Sequence, residues 1–562
     1  MAKSKTDLAE YLIARNSALK NEQATWLTLW QEIGDYVMPR KAEILTKQSS
    51  PGSQRNSVIF DSTAIYSNAV LANGMLSHMT PADSRWFVFD PPRNLADNDD
   101  AKQWFQACTE AAQIVLATSN FYSAIHELFF DDGAFGTSVL YVQEGRQAPL
   151  NFKTFDIGTY CISENSEGYV DTIFKEVEFT CRQAEEEFGE DNLSDKLRKE
   201  LQEAKTKGNY PDRKHSFLHA IYPRPETERK AGKTDGPNKP IASVYVEVAA
   251  KHVCRNSGYD ELPFFASRHL KWGSCVYGWS PSWVALPEAR QLNFLTKQLD
   301  YLAEVKAFPR MLVPDTHEGE IDLRAGGQTY FDPNQPAAMP KEWMTQGDYA
   351  IGLEREQRKR DAIERAYHVD LFRMFSGIDK QMTAREVSER AGEKLIQFTP
   401  AFARKTTELL NPMLRRVFAI CIKKGLFPPP PAAVLERDAE GNLFVPEPDI
   451  TYTSRIALAV KALSNVSFMR SMELISPIAQ VKPEILDNFN FDQITRDGAR
   501  NDGLPADWLM DQKKVDEMRQ ARAQAQAQAQ QQQQMLMAAE AAQKAGSIKK
   551  DSALAEALTQ QQ

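Results

Sequence analysis

Residues 349–375 constrain this chain most. They read as one helix in which Glu354 and Arg358, Glu356 and Arg360, and Asp361 and Arg365 each fall four apart, while Ile363, Tyr367, Leu371 and Phe375 supply one narrow apolar stripe. A helix patterned in this way keeps most of its surface in water. After the break FSGIDKQ, Thr383 and Glu386 have the spacing of a capping box, and Met382 and Val387 that of a hydrophobic staple, so a second, longer helix has a specified start. The expectation is two rods joined by a short loop.

The rest of the chain has to hold those rods. At 562 residues it exceeds one core and predicts several domains, and 42% hydrophobic with 25% charged residues is ordinary globular composition. A net charge of −9 and an isoelectric point near 5.6 argue against a surface built to clamp nucleic acid. Cys108, Cys161, Cys181, Cys254, Cys275 and Cys421 form no C-x-x-C pair, which predicts reduced, mostly buried thiols rather than a disulfide framework or a zinc ribbon. The N-terminus lacks an apolar signal region and no window has the apolar length of a membrane span, so the expectation is a soluble protein made in the cytosol, with no membrane partner.

In chain order, Leu8 to Tyr36 keeps helical spacing with one slip, fitting either two helices or one bent helix. Residues 46–55 read as a loop. Asp61 is placed to cap a helix carrying Ile65, Ala69, Ala72, Leu76 and Met79, and Thr80-Pro81 stops it. Trp86 to Phe89 reads as a strand, Asp99 to Phe130 as helical, and SVLYV as the strand that follows. Residues 151–280 turn β-rich, with one charged helix near Glu185–Lys207 and a hairpin tip over Pro223–Pro240. From Pro287, Leu292, Leu295, Leu299, Leu302 and Val305 stripe another helix, and Pro309–Asp348 reads as a small β module with strands RMLVP and GQTYFDP. Beyond Thr383 the long helix meets Pro400 and Pro412, yet Phe402, Leu409, Met413, Val417 and Ile420 keep the apolar rhythm, which predicts a bent helix. Pro428–Pro431 is a stiff linker, GNLFVPEPDITYTS a strand pair before helices over 456–520, and the Ala/Gln run from Gln520 either a helix needing neighbours or disorder.

Motifs that carry chemistry are scarce in this chain. No phosphate-binding G-x-x-x-x-G-K-[ST] and no G-x-G-x-x-G after a strand occurs, so nucleotide hydrolysis and dinucleotide binding lack support, and no cofactor is called for. His215 and His219 lie on an alternating strand where i and i+4 are too far apart to share a metal, and read as structural. Ser280, in GSCVYGWSPS, lacks the spacing of a nucleophile elbow. Asp131-Asp132 before Gly133 reads as a turn, with cation binding the alternative. Arg358, Lys359 and Arg360 could meet phosphates, but interleaved Glu354, Glu356 and Asp361 favour a solvated, salt-bridged face. The reading is of a protein that assembles rather than one that catalyses.

Several stretches carry a resemblance over nearly the whole chain. The pattern Trp26, Trp30, Glu32, Ile33, Asp35, Tyr36, Pro39, then Asp61-Ser62-Thr63, Leu76 and TPADSRWF (Thr80 to Phe87), and later MTAREVSER (Met382 to Arg390), resemble the portal, or head-to-tail connector, proteins of T7-like short-tailed bacteriophages. That resemblance implies a multidomain α+β portal fold, with mainly helical wing, stem and crown, a β-rich wing part and a small β clip. On it, 1–281 look like the wing, 282–306 the first stem helix, 307–348 the clip, 349–374 the second stem helix, 375–382 the tunnel loop, 383–427 the long wing helix, 428–515 the crown and 516–562 an Ala/Gln-rich tail.

It further implies a homo-oligomer of twelve subunits at one capsid vertex of the virion. The ring would be a channel for packaging and ejecting double-stranded DNA without sequence specificity, and a docking platform for the terminase and then a tail adaptor, in contact with major capsid, scaffolding and internal core proteins. The tunnel-loop residues would be Ser376, Gly377, Ile378, Asp379 and Lys380, with Lys380 the candidate phosphate contact. Arg355, Arg358 and Lys359 are candidates to line the channel, Trp343 and Arg310 to dock partners, and Thr383 and Glu386 to cap the wing helix. An acidic balance suits a lumen through which DNA slides, since each neutralised phosphate adds counterion-release affinity. The Gln-rich tail departs from the family pattern. The alternative from another class is a virion-associated hydrolase using Ser280 or the histidines of the β-rich region.

Overall fold

The computed structural model describes residues 5–559 apart from 46–58, 97, 146, 209–210, 231–232, 234, 316–319, 325, 331–333, 335–338, 344–348, 377–397, 438–440, 442, 455–474, 476–488, 496–509 and 511. It divides into two units, Met1–Val460 and Lys461–Gln562.

In the first unit, helix α1 (Lys5–Val37) is a single rod. Its N-terminal half puts Ala9, Leu12 and Leu19 against a sheet core of Phe174, Leu218 and Val244, and its C-terminal half puts Trp30, Ile33 and Val37 into the main core. Serving two cores on one helix accounts for the slip in its apolar spacing. Helix α2 (Thr63–Met79) begins two residues after Asp61, whose Oδ1 accepts from Thr63 N at 2.8 Å, so Ser62 rather than Asp61 holds the cap position. Its buried face runs Ala64, Ser67, Asn68, Leu71, Met75 and His78, leaving Ile65, Ala69 and Leu76 half-buried; small polar residues that pack were invisible to an apolar count.

Strand β1 (Phe87–Asp90) leads to α3 (Asp99–Thr118) and α4 (Phe121–Phe135), two helices where the sequence suggested one run. Gly136, at φ 75, turns the chain into β2 (Thr137–Glu144). Its Cβ would lie 2.6 Å from Gly278 O, so only glycine fits. Strand β2 is the middle of a three-stranded antiparallel sheet with β3 (Leu150–Phe155) and β9 (Phe264–Arg268).

Beside it, β4 (Tyr160–Glu164), β5 (Val170–Thr180), β6 (Lys214–Pro223), β7 (Ile241–Glu247) and β8 (His252–Tyr259) form a five-stranded meander. The charged helix expected there is two, α5 (Cys181–Phe188), with a Thr180/Gln183 capping box, and α6 (Asp195–Lys207). The hairpin connection after Pro223 is as expected, and Arg224 donates to Gly236 O and Lys239 O within it, both at 3.1 Å.

Helix α7 (Pro281–Ala307) starts before Pro287, which sits within its second turn. Among the described residues of the small module after it, β10 (Met311–Leu312) pairs with β11 (Lys341–Glu342), and 327–330 carry no strand. The charged rod is α8 (Tyr349–Ala366) followed by a separate α9 (Val369–Ser376), divided at His368, whose φ is +54. From 398 the chain is helical as α10 (398–405), widens into a π turn at Thr406–Leu410, and continues as α11 (Asn411–Lys423). The helical backbone runs without interruption from 398 to Lys423. Asn411 N reaches back five residues to Thr406 O, the widened hydrogen bond of a π turn just before Pro412.

The strand pair expected in 441–454 divides between two partners. Short β12 (Glu436–Arg437) pairs with β13 (Leu443–Phe444), whereas β14 (Asp449–Tyr452) crosses to β1 with Phe87 opposite Tyr452. In the second unit one helical turn spans 491–495 and α12 (Gln512–Thr559) makes the Ala/Gln stretch helical, its Arg519 paired to Asp492 at 2.5 Å. The fold is α+β. All six cysteines are free thiols, five buried and Cys275 half-buried. Among the described residues no helix is long and apolar enough to cross a membrane.

Candidate assembly and channel site

Helices α7 and α8 form an antiparallel hairpin, since Leu299 meets Gly352, Thr296 meets Glu356 and Glu288 meets Lys359. A Cβ on Gly352 would lie 2.4 Å from Leu299 Cδ2, so the glycine sets the close approach. Most of the charge at this contact is satisfied internally. Thr296 donates to Glu356 at 3.1 Å, Arg360 bridges Glu356 (2.6 Å) and Asp61 (2.9 Å), and Lys359 is held by Glu288 at 2.5 Å. Asn293 Oδ1 accepts from Phe60 N at 2.7 Å, which ties the start of α2 to the same hairpin.

Two of the three predicted i,i+4 pairs form. The Arg365 guanidinium instead donates to the Asp361 backbone carbonyl at 3.3 Å, while Asp361 Oδ1 accepts from Gln357 at 2.8 Å. Arg358, its side chain 75% exposed, pairs with Glu354 at 2.6 Å on the outer face, where such a pair is worth about 0–1 kcal/mol. The three basic neighbours therefore do not act as one cluster. Arg355 turns to one flank, where with Tyr36, Arg290, Phe294, Leu295 and Lys359 it lines a cleft of about 670 Å³.

The root of the hairpin is pinned by buried polar groups that the sequence reading missed. Asp131 and Asp132 are the last turn of α4 rather than a separate turn, and the cations they hold are lysines. Asp132, fully buried, accepts from Lys405 Nζ at 2.5 Å, His269 Nδ1 at 2.9 Å and Ser267 Oγ at 3.2 Å. Burial would raise its carboxyl, but Lys405 and His269 outweigh burial and hold it at about 2. Burial in turn lowers His269, against the pull of Asp132, so a neutral ring donates Nδ1–H. Burial pushes Asp131 up to about 7, against the opposing pull of Lys41 at 2.9 Å.

Arg268 forks onto Glu408 at 2.7 and 3.1 Å and also contacts Glu164, so Lys405 and Glu408 fasten the π turn to β9 and α4. Tyr367, at the break between α8 and α9, donates to Ser282 Oγ at 2.7 Å, and Ser282 donates to Gly133 O at 2.7 Å. The readable signal was a lysine and a glutamate inside an otherwise apolar helical rhythm; their partners are remote in sequence.

Other predicted residues separate. Trp343 N donates to Arg310 O at 2.7 Å and Arg310 Nη2 to Tyr301 OH at 2.6 Å, so the small β module brings this pair together at the end of α7. Ser376 ends α9, while Gly377, Ile378, Asp379, Lys380 and the Thr383–Glu386 capping box lie outside the described residues. Ser280 caps α7, its Oγ accepting from Trp283 N at 3.1 Å. His215 meets Glu200 at 3.2 Å, and His219, lowered to about 3 by burial, stacks on Tyr245 with centroids 3.9 Å apart. Among the described residues no three His, Cys, Asp or Glu side chains are grouped to hold a metal.

The first unit is thus a helical hairpin seated on an α+β body whose buried charges are paired. Residues 9–510 match the family of bacteriophage head to tail connecting proteins, and the chain belongs to that family of virion structural proteins. It is similar to the portal protein of Salmonella phage epsilon15, 30% identical over 521 residues that cover 91% of each chain. It is also similar to the probable portal protein of Bordetella phage BPP-1, 29% identical over 554 residues, 98% of this chain and 97% of that one.

Proposed function

We propose that the protein assembles into a ring of twelve subunits at one capsid vertex. There it forms the channel through which double-stranded DNA is packaged and ejected, and a platform for the terminase and then the tail adaptor. The observation that carries this reading is the α7–α8 hairpin: the charges where its two helices meet are neutralised within the chain, and Phe294, Tyr301, Phe308, Ile351 and Leu353 stand exposed on it, an apolar surface that subunit neighbours would cover. On this reading 282–306 and 349–374 are the stem, 307–348 the clip, 1–281 with 383–427 the wing and 428–515 the crown. The outer pair Glu354–Arg358 would leave the lumen near neutral, which favours sliding over gripping.

The ring also contacts capsid, scaffolding and core proteins in the virion, after synthesis in the host cytoplasm. Native mass or negative-stain images of the purified protein should give a closed ring near twelve subunits; a monomer or dimer at high concentration would sink the reading. The tunnel loop, Ser376–Lys380 with Lys380 toward the phosphates, would act on DNA only. Its deletion should leave rings intact and impair packaging or retention of DNA, and unchanged packaging would remove it from the mechanism.

A further inference from the structure

The two flanks of the α7–α8 hairpin differ in charge. On one flank the cleft beside Tyr36 carries Arg355, which among the described residues has no ion-pair partner, next to Phe294, 67% exposed. The other cations of that cleft are engaged, Arg290 by Glu32 at 2.8 Å and Lys359 by Glu288 at 2.5 Å. On the other flank, Asn293, Lys297, Asp300 and Glu304 recur every three to four residues and so share one stripe of α7. The stripe begins against Phe60, which Asn293 bonds and Lys297 covers at 5.2 Å from the ring centre. Past that point it is acidic: Asp300 and Glu304 are exposed, and neither has an ion-pair partner among the described residues.

A cyclic ring is built from a heterologous contact, one surface of each subunit meeting a different surface of the next. Opposite flanks of one hairpin with opposite unpaired charge satisfy that requirement with a single second copy of this chain. Heights agree as well. Arg355 lies level with Thr296, because the adjacent Glu356 is bonded to it, and Asp300 is one helical turn further along α7, about 6 Å, within the reach of an arginine side chain. We propose that Asp300 of one subunit docks beside Phe294 in the neighbour's cleft and pairs with Arg355, with Glu304 extending the acidic stripe. The inference rests on the ring reading and adds the interface and its register.

The test uses the full chain. Arg355→Asp and Asp300→Arg each place like charges across the contact and should raise the concentration needed for half-assembly by about tenfold or more, read by mass photometry. The combined swap should return it to within about threefold of the original. A second readout is independent of charge: Asp300→Cys and Arg355→Cys chains, mixed and oxidised with copper phenanthroline, should give covalent dimers of one of each, above the background of either alone. If the unmodified chain forms rings but neither reversal shifts assembly and no mixed dimer forms, the interface is wrong while the ring stands. If the unmodified chain stays monomeric, the ring reading fails and this inference falls with it.

Discussion

A fully buried ammonium is tolerated only where a carboxylate is already waiting for it. Lys405 has that partner in Asp132, with His269 and Ser267 filling the remaining positions around the carboxylate. Removing one partner of such a pair leaves the other stranded. Lys405→Met should therefore destabilise the first unit by about 3–5 kcal/mol, whereas Lys405→Met combined with Asp132→Asn should recover most of the loss, both read from urea unfolding. Equal stability of the two variants would show that Asp132 is not left as a stranded charge when Lys405 is removed. At this scale the sequence was least legible. Lys405 stands out within an apolar helical rhythm, but nothing local points to Asp132 or to the Arg268–Glu408 fork. Asp131-Asp132 was read as a turn because short acidic pairs before glycine commonly are turns, and the helix that overrode this is held by tertiary packing of Phe121, Ile125, Leu128 and Phe129.

Helices and strands were legible where periodicity was strong, and their breaks were not. α8 and α9 share one apolar stripe, so nothing in the spacing marks the left-handed residue at His368 that divides them. Packing sets that division: Tyr367 is drawn down to Ser282, and Phe372 is laid across α2 at Gly74. A Cβ at Gly74 would sit 2.1 Å from the Phe372 ring, an atom that cannot swing away as the end of a flexible chain would. Gly74→Ala should cost about 1–3 kcal/mol despite alanine's better helix propensity. Because the cost falls on the α2–α9 contact, hydrogen exchange should quicken over 369–376 before it changes over α8. Uniform quickening would mean that the strain spreads through the core instead. The same logic explains β14, whose partner β1 lies in the N-terminal part of the chain: strands signal their existence locally and their pairing only in the fold.

At the scale of the whole molecule, the family and the helix–β module–helix order were readable, because they rest on long periodic segments and spaced motifs rather than on pairings. Among the described residues of the β module there is one ladder of two residue pairs, too short to be stable alone. What fixes it is a relay into the hairpin, Trp343 N to Arg310 O, then Arg310 to Tyr301 on α7, which uses the backbone of Trp343 and leaves the residue 55% exposed. Backbone anchorage with a free aromatic face is the arrangement expected of a docking residue, as aromatic anchors dominate many interfaces. Trp343→Ala should therefore leave the assembly concentration unchanged and weaken capture of the tail adaptor or terminase by about tenfold or more, measured by surface binding to preformed rings. Arg310→Ala, which cuts the relay to Tyr301, should instead loosen the module and affect both partners. Should Trp343→Ala impair ring formation at concentrations where docking is untouched, the ring belongs to a contact between subunits and the platform lies elsewhere on the clip.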